Sequence, residues 1–232
     1  MTDEQSGAFD VLATASSAML ADHHAADVLA DLLNDCLAPM SAHAAAIMVV
    51  DEGDLALLSA STHRAAELEM LQTQESLGPC VEAIRTGVVV TCVGTEELVR
   101  RWDHVGRAIR DTGFVSVHAF PMRWHGQVIG GLNLFRTAED EQLADTEAVG
   151  RAFADVATLV LVRATAVPVD QVAARIHEAV AARSIVEQAK GVLAYLHEVD
   201  MERAYHLLKQ RSMQNGDSVV EAALRVVREQ HD

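Results

Sequence analysis

Lysine is nearly absent from this 232-residue chain: there are two, Lys190 and Lys209, both in the last quarter. Proline (four residues) and aromatics (4 %) are also few, while half of all residues are hydrophobic. That balance supplies material for a packed core and excludes a disordered or collagen-like chain. The three cysteines, Cys36, Cys80 and Cys92, are odd in number and widely spaced, with no Cys-x-x-Cys. They indicate neither a disulfide framework nor a zinc site, and a reducing cytoplasm is the expected compartment. No apolar run approaches the roughly 18 residues of a membrane span. The opening MTDEQSGAFD is acidic where a signal peptide is basic. The expectation is neither a secreted nor a membrane-spanning protein.

Catalytic signatures are missing too. There is no Gly-x-Ser-x-Gly elbow, no Gly-rich phosphate loop ending in Lys-Ser/Thr, and no His-Glu-x-x-His. The acidic pair and strand-end lysine of a phosphorylated receiver domain are absent as well. We expect no enzymatic activity and no required cofactor. His23-His24, beside Asp22 and Asp27 on a predicted helix, reads as a solvated face before it reads as a metal site. His118 alternates with Val117 and Ala119 along a predicted strand. It reads as a satisfied core or surface histidine ahead of a pocket residue or haem ligand. Nothing marks Cys80 or Cys92 as an activated thiolate.

What is present is acid, unevenly spread. The formal net charge is −16, which repels nucleic acid and anionic membranes at long range. Residues 1–169 carry ten Arg and no Lys against 24 Asp plus Glu; residues 170–232 carry eight Arg plus Lys against ten acids. A polyanionic partner would have to meet the C-terminal segment.

Apolar spacing of three and four predicts one or two helices over 8–38, ended by Pro39. Two apolar runs around Asp51-Glu52-Gly53-Asp54 predict a hairpin. Helical spacing returns over 64–86, with Gly87 as a left-handed stop, and 88–91 reads as a short strand. SVHAFPMRW and QVIGGLNLF, joined by His125-Gly126, predict a second hairpin with Pro121 at an edge or bulge. A long helix is expected from Thr137 to about Thr165, with Glu139, Asp140 and Glu141 at its start. It carries two apolar stripes: Val149, Phe153, Val156 and Val160, and Ala148, Ala152 and Leu159. Such a helix is either simply deeply buried or a homodimer seam. We take the seam, with Phe153 and Val160 at or near it. Val167-Pro168 marks a boundary. Helices follow over about 170–196, 200–214 and 217–230, with Asp200 capping the second and Asp217 or Ser218 the third.

The residues Gly78-Pro79-Cys80, Arg85-Thr86-Gly87, Arg101-Trp102, Gly113 and FPMRWHGQVIGGLNLF resemble the GAF domain, most of all its branch in actinobacterial regulators. Arg183-Ser-Ile-Val-Glu-Gln-Ala-Lys190-Gly-Val-Leu-Ala, continuing through Ala204-Tyr205, Leu207-Leu208-Lys209 and Ala222-Ala223, resembles the ANTAR domain, a three-helix RNA-binding module of transcription antiterminators. The resemblance implies an α+β GAF sensor domain over 8–165, with an antiparallel sheet and flanking helices. A linker at 166–171 and an all-α three-helix ANTAR domain over 172–229 would follow. Arg211 stands where the family usually has an aromatic residue, and Gly216 where it often has Asn.

Beside the resemblance, the progression Val172, Ile176, Ala179, Arg183, Val186, Lys190, Leu193 turns from apolar to basic. It suggests pairing near its start and a solvated, polyanion-facing end. Arg183, Lys190, Arg203, Tyr205, Lys209 and Arg211 are the candidate RNA-binding residues. Each alone reads equally as an ordinary solvated charge, or for Tyr205 as a packed ring. Gly191, costing roughly 1 kcal/mol in a helix, is read as allowing close approach of a neighbouring helix. The expected function is signal-gated transcription antitermination, with tandem stem-loops in nascent RNA as partner. The other reading is a regulatory protein whose helical tail binds DNA or another protein. A small molecule in the GAF domain, its identity unspecified, and a homodimer complete the expectation.

Overall fold

The β-branched and small apolar runs form five strands: β1 (Ala44–Asp51), β2 (Asp54–Ala60), β3 (Val90–Val93), β4 (Ser116–Trp124) and β5 (Gln127–Arg136). They are seen in a computed structural model that describes residues 3–18, 25–138, 143–162 and 169–229. One antiparallel sheet results, in the order β2-β1-β5-β4-β3. Its two hairpins turn through Glu52-Gly53 and His125-Gly126, all four with positive φ, as two-residue turns matched to strand twist require. Pro121 lies opposite Gly131, beyond the last β3 partner of β4 and beside a register shift at Met122/Arg123. β3 begins two residues later than predicted, leaving Val88 exposed.

Helices cover both faces. α1 (Asp3–Ala18), α2 (Ala25–Asp35) and α6 (Leu143–Val162) enclose one core with Leu29, Leu33, Ile47, Phe120, Leu134 and Phe153. α3 (His63–Glu75), α4 (Pro79–Thr86) and α5 (Thr95–Asp111) enclose the other, with Met48, Leu68, Trp102, Val117 and Phe135. Thr137 does not open α6. Its side chain bonds to His43 Nε2 at 3.0 Å, so the residue stays in the connection. The predicted acidic first turn at 139–141, His23-His24 and Val167-Pro168 lie outside the described residues.

Phe153 and Val160 are buried within the chain's own core, so the seam predicted on them is not at the surface of the single chain. Burial against the sheet takes Phe153 and Val160, while Val149 and Val156 of the same stripe are half-buried. On the second stripe, Ala148 is exposed and Ala152 and Leu159 are half-buried.

The C-terminal quarter is α7 (Val169–His197), α8 (Met201–Asn215) and α9 (Val219–Arg228). Ala189, Leu193, Ala204, Leu208, Val219, Ala223 and Val226 form their common core. Asp200 caps α8 by accepting from the Arg203 N–H at 2.7 Å, and Ser218 with Glu221 forms a capping box on α9. α7 is shared between two cores. Ile176 and Ala179 bury against the sheet domain, Ala189 and Leu193 in the bundle. The predicted stripe therefore pairs at its start with the chain's own sheet domain, and its end is packed rather than solvated.

Candidate nucleic-acid interface and sensor core

Three of the six candidate residues come together where α7 and α8 face α2. The Lys190 ammonium lies 2.9 Å and 3.0 Å from the two Glu187 carboxylate oxygens. It also stands 5.8 Å from the Tyr205 ring centroid, within cation–π range. Tyr205, one turn before Lys209, is half-buried, and its hydroxyl is pushed up to about 12 by burial and by the nearby Asp31 and Asp27 carboxylates. Lys209 Nζ donates to Asp31 Oδ1 at 2.7 Å, and the Val219 N–H at the start of α9 donates to Asp27 Oδ2 at 3.3 Å.

The other three sit apart. Arg183 donates to the Leu57 carbonyl of β2 at 2.8 Å, and burial lowers its guanidinium below the usual arginine value. Arg211 Nη1 is 3.9 Å from the Glu229 carboxylate. Arg203 is exposed, with no ion pair to any described residue. Tyr195 is 82 % exposed near the end of α7. Gly191 is also exposed, and a Cβ there would meet nothing within 4 Å. The close helix approach predicted for it does not occur among the described residues. Gly216 ends α8 at φ 71°, a left-handed cap that Asn tolerates nearly as well, so this departure from the family leaves the turn intact.

The sheet domain carries a second cluster that sequence reasoning missed. Glu69, Gln72 and Asn133 are fully buried between α3 and the sheet. Asn133 Nδ2 donates to Glu69 Oε1 at 2.9 Å, and Gln72 Oε1 accepts from the Cys80 N–H at 3.0 Å. Gln72 thus caps α4 in place of Gly78, whose φ of 135° and missing Cβ make room for the Gln72 side chain. Burial pushes the Glu69 carboxyl up to about 8, so the group is held as the neutral acid. The Cys80 thiol is driven well above its ordinary value by burial and then by Glu69, and Cys92 is pushed up to about 11 by burial. Neither is an activated nucleophile. A signal was present: Glu69 and Gln72 continue the Ala65, Leu68 spacing and so occupy core positions of α3.

Arg101-Trp102 also finds its reason. One Glu82 carboxylate accepts from Arg101 Nη2 at 2.7 Å and from Trp102 Nε1 at 3.0 Å, tying α5 to α4. On the opposite face, His118 is 1 % exposed with Nδ1 3.2 Å from Thr91 Oγ1. Burial, then Arg136, lowers it to about 4. It is a core histidine. Among the described residues, no group of three or more His, Cys, Asp or Glu is placed to hold a metal ion. None of the described helices is long and apolar enough to cross a membrane.

Comparison with known proteins matches both domains. The GAF domain family matches residues 22–162, and the ANTAR domain family matches residues 174–227. The chain belongs to the GAF domain family and carries an ANTAR domain behind the sensor fold. None of the curated proteins matches it. Among solved structures it is similar to the GAF domain of an Acinetobacter phosphoenolpyruvate-protein phosphotransferase, at 15 % identity and TM-score 0.53, covering 72 % of this chain and 98 % of that one. The corresponding GAF domain from Coxiella burnetii gives 13 %, 0.52, 79 % and 99 %. The A. aeolicus nlh2 GAF domain in an inactive state gives 13 %, 0.52, 68 % and 96 %. At these identities the likeness concerns the fold. The expected fold classes, an α+β domain built on an antiparallel sheet and an all-α three-helix domain, are those found.

Proposed function

We propose that this protein is a signal-responsive regulator that acts by transcription antitermination, its ANTAR domain holding paired stem-loops of nascent RNA under control of the GAF domain. The observation that carries the reading is the joining of an ANTAR-type bundle to a GAF sensor through α7, one helix buried in both cores. A change in the sensor is thereby coupled to the bundle by a rigid element. RNA of this kind is read through unpaired loop bases and phosphate contacts, for which Lys190, Arg203, Tyr205, Lys209, Arg211 and Arg183 supply cations and one ring. The Glu69–Gln72–Asn133 cluster is the sensor's candidate input point, where a small molecule meeting buried polar groups would change packing. The protein works as a cytoplasmic homodimer, with the half-exposed Ala148, Ala152 and Leu159 stripe of α6 as contact.

The test is a binding assay on the full chain comparing tandem RNA hairpins with duplex DNA of equal length. Preference for the hairpins is the expected result. Hairpin RNA ignored in every sensor state, or DNA preferred, overturns the reading in favour of a tail that binds DNA or protein.

A further inference from the structure

α2 meets the C-terminal bundle through charge, and the acid comes from the sheet domain. Asp27 and Asp31 are one turn apart on α2 and so lie on the same side of that helix. Asp31 takes the Lys209 ammonium at 2.7 Å. Asp27 takes the first N–H of α9 at 3.3 Å. Tyr205 lies beside them, its hydroxyl raised by burial and then by both carboxylates. An ammonium group and a helix N-terminus are the two features by which a bundle of this kind would hold phosphate. Both are filled by carboxylates of the same chain. A second contact, Arg183 on the Leu57 carbonyl, removes another candidate cation from solvent.

We propose that α2 is an intramolecular anion that occupies the phosphate-binding side of α8 and α9, so that the described conformation is the RNA-closed one. The proposal rests on the RNA-binding reading above and adds the device that controls it. α2 packs on α6 and on the sheet, so a sensor rearrangement that shifts α2 withdraws both carboxylates together and frees Lys209 and the Val219 N–H of α9. Parting the Asp31–Lys209 pair requires no unfolding, because both side chains are partly exposed.

The experiment compares three full-length proteins by tandem-hairpin RNA binding at fixed moderate salt: wild type, the Asp27→Asn/Asp31→Asn double variant, and Glu96→Gln/Asp111→Asn. The last removes the same charge from exposed positions on α5, across the sheet. The α2 variant is expected to bind about tenfold more tightly than wild type, as release of a predominantly closed population requires, and the α5 variant within about twofold of it. Unchanged affinity in the α2 variant, or an equal gain in both variants, overturns the proposal while wild-type RNA binding leaves the functional reading standing. Failure of all three proteins to bind overturns both.

Discussion

Lys209 of α8 and Asp31 of α2, 178 positions apart in the chain, are joined by a 2.7 Å hydrogen-bonded ion pair. The pair links one of only two lysines to the acidic front domain, and on the proposed reading that lysine has two competing partners. In the closed conformation it neutralises a carboxylate; on RNA it would neutralise a phosphate.

That competition separates Lys209 from Arg203. Arg203→Ala removes an exposed cation with no ion pair to any described residue, so hairpin affinity should fall severalfold with no change in melting temperature. Lys209→Ala loses the phosphate contact but also loosens the closed state, so its net effect on affinity should be smaller than that of Arg203→Ala. Titrations of both variants on one hairpin check this, and a larger loss for Lys209→Ala would show that the ion pair does not compete.

Glu82 is the keystone between α4 and α5. Glu82→Ala strands the Trp102 indole N–H and one arm of Arg101, and a buried unsatisfied donor costs about 1–3 kcal/mol. The melting temperature should drop by roughly 2–4 °C per kcal/mol for a chain of this size. Glu82→Gln keeps an acceptor for one donor and should recover part of the loss. Thermal unfolding of both variants provides the measurement.

Glu69 makes stability pH-dependent. Its folded-state value, about 8, lies above its ordinary 4.5. Between those values the unfolded chain releases a proton that the folded chain retains. Stability is therefore full at low pH, falls as pH rises, and levels off once pH has passed the folded value. From pH 6.5 to 8.5, wild type should lose at least about 1 kcal/mol. Glu69→Gln should flatten that limb. Melting curves at several pH values check it, and parallel profiles for the two proteins would refute the assignment.

The fold was legible where a local rule had no competitor. His125-Gly126 and Glu52-Gly53 announced two hairpins because two-residue turns need positive φ, and Asp200, with Asp217 or Ser218, announced helix starts because their oxygens accept free N–H groups there; of the last two, Ser218 is the cap. The dimer seam misled because apolar spacing specifies a face and not its occupant: Phe153 and Val160 went to the sheet. Arg183 and Lys209 were legible as cations but not as partners of Leu57 and Asp31, contacts that only the tertiary arrangement makes. Glu69 and Gln72 were passed over because a polar residue on a core stripe looks like an interruption of the pattern.

Assembly gives a further prediction. The exposed and half-buried Ala148, Ala152 and Leu159 stripe is an apolar edge of α6. Light scattering at micromolar concentration should report twice the 25.0 kDa chain mass. Ala152→Glu should return it to one. A wild-type monomer with RNA binding intact would remove the dimer from the mechanism.

Salt completes the argument. If the bundle neutralises some three to five phosphates per protomer, log affinity should fall with log salt at a slope of about −2 to −4. Wild type should be shallower than this. Salt also screens the Lys209–Asp31 pair, whose side chains are 31 % and 57 % exposed. Raising salt therefore weakens the closed conformation while it weakens RNA binding, and the two effects partly offset each other. The Asp27→Asn/Asp31→Asn variant lacks that offset and should show the steeper line. The two lines should converge at high salt, where the internal carboxylates no longer compete. Parallel lines would mean that α2 and RNA do not share a surface.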